Sequence, residues 1–237
     1  MGIAWSLFLT LVFLAVPDQY GQSSNVIGQA IVVRDSNKAQ NSDVVVWLEP
    51  LSGQTSPYTF LGDSERVRLA QKNKSFVPHL LVVRAGTVVD FPNLDPVFHN
   101  VFSLFEGKRF DLGLYEAGTT RSVRFDRPGI SYIFCNIHSQ MSAVVVAVDT
   151  PYYAVSDRSG RFALPDVDPG RYTLHVWHEG TSPQALSALR REVVVGKGET
   201  SLGTLRVVEN EVPVAHKNKY GRDYDEKQST GFPYPEP

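Results

Sequence analysis

Short runs of β-branched and aromatic residues, each bounded by turn-forming residues, follow one another along most of this chain. Val26 to Val33, Val44 to Leu48, Arg66 to Leu69, Leu80 to Val83 and Thr87 to Phe91 form the first group. Val101 to Leu104, Thr119 to Phe125, Ser131 to Phe134 and Ala143 to Val148 form the second, and Arg161 to Leu164, Tyr172 to Trp177, Glu192 to Val195 and Ser201 to Val208 the third. Between them lie Ala85-Gly86, Asn93-Leu94-Asp95-Pro96, Arg127-Pro128-Gly129, Asp157 to Gly160 and Asp168-Pro169-Gly170, all turn chemistry. Runs of this length with Gly and Pro punctuation predict strands. Many short strands in series predict an all-β sandwich or barrel. The stretch Ser182 to Arg191 has room for one helical turn at most.

The two ends differ from this pattern. Ile3 to Val16 is almost wholly apolar, and Pro17-Asp18 breaks it. A run of about 14 residues at about 1.5 Å each falls short of a bilayer core of about 30 Å, so it reads as the apolar part of a signal peptide over residues 1–22. Export, to a periplasm, and no stable membrane insertion after cleavage are the expectations. No Lys or Arg precedes the run, and no Cys near it offers a lipid attachment point. Residues 211–237 are polar and end in Pro233, Pro235 and Pro237. Such a segment buries too little apolar surface to offset its ordering entropy, which predicts a flexible tail or an arm that orders against a partner.

Charge narrows the partners. The net charge is −2 and no run of like charges exceeds a few residues, so a nucleic-acid partner, which requires a concentrated basic surface, is not expected. A hydrophobic fraction of 42% over 237 residues is enough for one large domain or two modest ones.

Cys135 is the sole cysteine. In an oxidising compartment thiols usually pair, and an unpaired one is either a small buried hydrophobe or has a special role. Its neighbours decide. Cys135-Asn-Ile-His138-Ser-Gln-Met141 places a thiolate, an imidazole and a thioether in one compact loop between two predicted strands. A second imidazole from a neighbouring loop completes a His₂Cys plane with a weak axial Met, the donor set of electron-transfer copper. His99, after the Asn93 to Pro96 turn, is that residue. Zinc prefers four strong donors, for which Met is a poor choice.

From Phe76 to Val148, about a third of the chain, the sequence resembles a cupredoxin of the amicyanin and plastocyanin-like kind, including the methylamine-utilisation type. The resemblance rests on Val88-Val89-Asp90-Phe91-Pro92-Asn93, on Phe98-His99-Asn100-Val101, and on Pro128-Gly129 leading to Tyr132-Ile133-Phe134-Cys135 with the Cys-x-x-His-x-x-Met loop. It implies a Greek-key β-sandwich with one copper ion, cycling between Cu(II) and Cu(I), held by His99, Cys135, His138 and Met141. It also implies that Asn100 braces the two ligand loops near the thiolate. Electrons would leave by the exposed edge of His138 to a docked redox protein, with Pro96, Phe98 and Ile137 as an apolar rim.

Val26 to Asp35 followed by Val44 to Glu49 resembles the opening strands of a carboxypeptidase-regulatory-like, prealbumin-type sandwich, and Asp157 to Leu174 resembles its later part. Neither piece has enough strands for a core alone. The expected organisation is one sandwich built from residues 23–50 and 151–210, with a cupredoxin unit over 64–149 inserted into it. A linear chain whose N-terminal strands join the cupredoxin sheet is the alternative.

Other residues that could suggest chemistry have plainer readings. His175 and Trp177 share a strand face from which His178 points away, so His-Val-Trp-His-Glu179 reads as structural. His79 reads as a strand-edge histidine, His216 lies in the tail, and Asn73-Lys74-Ser75 matches a glycosylation sequon. Asp166 and Asp168 suit a turn better than acid/base work. No nucleophile elbow, His-Glu-x-x-His or phosphate-cradling loop is present, so an enzyme is not expected. Three functions remain open: electron transfer through one copper, copper carriage or sensing without an electron route, or an interaction role in which the loop holds no metal.

Overall fold

The computed structural model describes residues 23–34, 42–51, 66–104, 107–210 and 217–224. Its strands in chain order are β1 (Ser24–Val33), β2 (Val45–Pro50), β3 (Arg66–Arg68), β4 (Ala70–Lys72), β5 (Ser75–Val77), β6 (Leu80–Arg84), β7 (Val88–Pro92), β8 (His99–Ser103) and β9 (Phe110–Tyr115). There follow β10 (Thr120–Arg124), β11 (Gly129–Phe134), β12 (Ser142–Val148), β13 (Tyr153–Val155), β14 (Arg161–Val167), β15 (Gly170–Trp177), the helix α1 (Pro183–Leu189), β16 (Arg191–Val195) and β17 (Glu199–Val208). The molecule is all-β apart from that one helix among the described residues.

Two sandwiches are stacked. The first has a five-stranded sheet in the order β6-β12-β11-β8-β9 facing a three-stranded sheet, β10-β7-β3. Their facing side chains, among them Phe91, Val101, Phe125, Ile133 and Val145, make one buried core. The second has sheets β14-β1-β17 and β13-β2-β15-β16 around Val26, Val46, Leu48, Leu164, Leu174 and Leu205. Here strands from the early and late parts of the chain meet. β1 lies between β14 and β17, and β2 pairs antiparallel with β15 from Tyr172↔Pro50 to Trp177↔Val45.

Strand alternation explains how the sandwiches join. In β12, Ala143, Val145 and Ala147 point into the first core. Val144, Val146 and Val148 point the other way, onto Val45 and Trp177 of the second sandwich. Both faces of β12 are therefore apolar, which is why its sequence reads as a continuous run rather than as alternation. β2 does the same from the opposite side, with Val46 and Leu48 in the second core and Val45 at the junction. Across one edge of the junction, the exposed His79 Nε2 meets Glu179 Oε2 at 2.6 Å.

The structure departs from the sequence reading in two places. The stretch given one helical turn at most holds a seven-residue helix, α1, because Ser182 caps it and Pro183 starts it. The hairpin β4–β5 went unread because its strands have three residues each; both turn residues, Asn73 and Lys74, have positive φ, as a tight hairpin turn requires. Of the segment read as a flexible tail or an ordering arm, residues 217–224 are seated on the first sandwich, and the rest lies outside the described residues. The seating is polar rather than apolar. Hydrogen bonds to partly buried groups, not a hydrophobic face, hold these residues.

The apolar N-terminal run lies outside the described residues. No helix among the described residues is long and apolar enough to cross a membrane.

Candidate metal centre

β11 and β12 form an antiparallel hairpin in register from Gly129↔Ala147 to Phe134↔Ser142. That register leaves Cys135 to Met141 as the closing loop. The Cys135 N–H donates to the Met141 carbonyl at 3.3 Å, and the Met141 N–H donates to the His138 carbonyl at 3.1 Å, so the loop folds back on itself. β8, which starts at His99, pairs with β11 at Phe134↔Phe102 and carries the second imidazole to the same end of the sandwich.

The donors converge. His99 Nδ1 lies 3.1 Å from His138 Nδ1, and Cys135 Sγ lies 3.6 Å from His138 Nδ1 and 3.9 Å from His99 Nδ1. All three residues are buried, and they form the one group of at least three His, Cys, Asp or Glu side chains among the described residues that could hold an ion. Bonds of about 2.0–2.3 Å radiating at about 120° from a common centre would set donors roughly 3.5 Å apart, the spacing seen here. Met141 is fully buried in the same core as Cys135.

The protons fit a cation as well. His99 Nε2 faces Asp95 Oδ2 at 2.8 Å, which fixes the Nε2–H tautomer and leaves the Nδ1 lone pair free to point inward. Two imidazole lone pairs and a sulfur then share, at most, the thiol proton. Burial lowers the basicity of both rings. His138 is pushed down to about 4 by burial and, next, by the charge of His99. His99 is lowered by burial, partly offset by Asp95. Burial pushes the Cys135 thiol up, against the backbone N–H groups of Asn100, Ile137 and His138 that favour the thiolate. A soft cation would remove that proton and satisfy all three donors.

Asp95, a turn residue in the sequence pattern, reaches the cluster through His99. Burial works to raise its carboxyl, but backbone N–H groups of Lys74 and Asn73 and the His99 ring hold it below the ordinary range. The Lys74 and Asn73 donors, at 2.8 and 2.5 Å, come from the tip of the β4–β5 hairpin. Asn93 Oδ1 accepts the Asp95 N–H at 3.1 Å and sets the loop. The visible signal was an Asp four residues before the ligand-candidate His99.

Asn100 differs in detail from what the resemblance implied. Its backbone N–H faces the Cys135 sulfur, while its side-chain amide donates to Asp111 Oδ1 at 2.8 Å. The edge of His138 is narrow, only 5% exposed. In the expected rim, Pro96 is exposed and Phe98 and Ile137 are half-buried; Leu94, not foreseen, is 58% exposed in the same loop as Pro96.

The other histidines stay outside the cluster. His175 stacks on Trp47 at 4.9 Å, and His178, just past the end of β15, pairs its Nδ1 with Thr181 Oγ1 at 3.2 Å. Asp166, next to last in β14, has a left-handed conformation, and Tyr152 donates to Asp168. His216 lies outside the described residues.

Residues 139–207 match the carboxypeptidase regulatory-like domain family. The match begins within the ligand loop, upstream of residue 151. No curated protein matches the chain. Among solved structures, a copper-containing nitrite reductase from Thermus scotoductus is similar at 21% identity over 42% of this chain and 25% of that one, with a TM-score of 0.34. This chain thus spans about a quarter of the reductase's length. A purple cupredoxin from Nitrosopumilus maritimus matches at 21% identity over 35% of this chain and 99% of that one, with a TM-score of 0.31. The Cu(I) form of an amicyanin mutant matches at 18% identity over 44% of this chain and 98% of that one, with a TM-score of 0.33. The chain is thus similar to cupredoxins and carries, over residues 139–207, a match to the carboxypeptidase regulatory-like domain.

Proposed function

We propose that this protein is an exported, periplasmic carrier of single electrons, and that His99, Cys135, His138 and Met141 would hold one copper ion. The observation that carries the reading is the buried convergence of two imidazole Nδ1 atoms and one thiol sulfur at 3.1–3.9 Å. Copper bound there would supply a one-electron couple between Cu(II) and Cu(I). The chain's own residues do the rest. Asp95 fixes the His99 tautomer, the hairpin loop fixes the spacing of Cys135 and His138, and the surrounding apolar core keeps water away. A site so tightly held changes little between the two oxidation states, which favours fast exchange.

We read the 64–149 unit as an insertion into a sandwich formed by 23–50 and 151–210, a reading supported by the pairing of β1 and β2 with β14, β15 and β17. A redox protein would dock near His138, over the loop bearing Leu94 and Pro96. We read the protein as a carrier and not an enzyme.

The narrow exposure of His138 favours a second reading, in which the site stores or senses copper without passing electrons. The full chain loaded with one equivalent of Cu(II) separates the two. An intense visible band from thiolate-to-copper charge transfer, abolished in Cys135→Ser, supports the electron carrier. A colourless protein that retains only Cu(I) supports storage. Failure to bind copper in either state overturns both.

A further inference from the structure

Residues 217–224 return, from more than eighty positions away along the chain, to the outer side of the ligand loop. The segment first orders itself. Asn218 Oδ1 accepts the N–H groups of Tyr220 and Arg222 at 3.0 and 3.1 Å, and its carbonyl accepts the Gly221 N–H at 2.9 Å. The tight turn that results presents the Lys219 N–H to Asn136 Oδ1 at 2.9 Å. The Tyr224 hydroxyl donates to the Cys135 carbonyl at 2.8 Å. Burial pushes this phenol up, so it keeps its proton and remains a donor.

A second route from the same segment reaches Cys135 on its sulfur side. Lys219 Nζ pairs with Asp111 Oδ2 at 2.7 Å, and Asp111 Oδ1 accepts the Asn100 side-chain amide at 2.8 Å. Asn100 in turn directs its backbone N–H at the Cys135 sulfur. The segment therefore touches the carbonyl of Cys135 directly and its sulfur through two intermediaries. Hydrogen bonding around a ligand sulfur tunes the potential of such a site, so the position of Asn100 matters beyond packing.

We propose that residues 217–224 are a strap on the metal loop, in which Tyr224 and Lys219 are positioning residues that hold Cys135 and Asn136 in place. The proposal rests on the copper reading for its spectroscopic consequences, but the strap's hold on the loop does not require a bound ion. Cys135 is fully buried, so a thiol reagent reaches it only when the loop opens.

The test compares the full chain with Tyr224→Phe and with the double variant Tyr224→Phe/Lys219→Met. In metal-free protein, alkylation of Cys135 by iodoacetamide is expected to run about fivefold faster in Tyr224→Phe, the factor set by one ordinary hydrogen bond, and faster again in the double variant. In the copper-loaded protein the charge-transfer band and the reduction potential are expected to shift, while the thermal midpoint of the metal-free protein stays within a few degrees. Unchanged alkylation overturns the strap. So does acceleration that merely tracks a fall in global stability, or an unchanged band and potential in the loaded variants. Should the unaltered chain take no copper, the reading in the previous section fails, and the alkylation rates still decide the strap.

Discussion

The two sandwiches are built by the same rule and differ in what their loops carry. Each packs two sheets around a dry core: Phe91, Val101 and Ile133 in one, Leu48, Leu164 and Leu174 in the other. In the second sandwich the buried polar residues serve the frame; Tyr152, for example, donates to Asp168 beside the β14–β15 connection. In the first, one end is closed by loops whose side chains turn inward, so that Cys135 and Met141 are members of the core cluster while His99 and His138 adjoin them. The difference lies in where donors are attached rather than in fold class. A rigid hairpin and a neighbouring strand end fix positions that an isolated loop could not.

Substitutions are expected to act unequally on the two sandwiches, the loss of colour in Cys135→Ser being the largest effect. Next in size is Leu174→Ala, which empties part of the second core. Unfolding free energy in denaturant is expected to fall by about 2–5 kcal/mol, while the visible band of the native, copper-loaded protein stays put. A changed band would mean that the cores are not separate, and that strain crosses β12. Asp95→Asn acts in the opposite sense, on the site and little on the frame. It keeps the shape but weakens the hold on the His99 tautomer, and copper affinity measured against a competing chelator is expected to drop about 10- to 100-fold. An affinity equal to that of the unaltered chain would remove Asp95 from the site.

The smallest effect concerns the junction. His79 is raised above its ordinary value, first by its hydrogen bond to Glu179, with burial opposing. A raised folded value means the proton is held more tightly in the native state, so this stability is complete below about pH 6.5 and is lost as pH rises through the folded value. The buried histidines act in the reverse direction, since His138 at about 4 makes the metal-free protein less stable as pH falls from about 6.5. Comparing thermal midpoints of the unaltered chain and His79→Gln isolates the junction. Their gap is expected to be a degree or two near pH 5.5 and to close by pH 8.5. A gap that is constant with pH would show that the pair contributes no charge interaction.

Much of the centre could be read from local spacing. The Cys135-x-x-His138-x-x-Met141 loop needs only a hairpin on either side, and both flanking runs, Ser131 to Phe134 and Ala143 to Val148, announce themselves as strands. His99 was legible because it stood at a strand start after a turn. Asp95 was not, because its part depends on backbone N–H groups from Asn73 and Lys74, and the hairpin that delivers them is too short to leave a pattern. Tyr224 and Lys219 were hidden for a related reason. Their segment has no apolar periodicity, and its order comes from polar partners at Cys135, Asn136 and Asp111.

Local residue order is enough to set the strands, the turns between them and the types of donor gathered in one loop, because these depend on side-chain period and on residues within a few positions of each other. Packing between distant segments set the rest: Val144, Val146 and Val148 face a second sandwich, backbone N–H groups of Asn73 and Lys74 hold the carboxylate that orients His99, and a polar tail segment reaches Cys135. Those outcomes depend on groups far apart in the chain, and pairings at such a distance leave no periodic trace in the residues that make them.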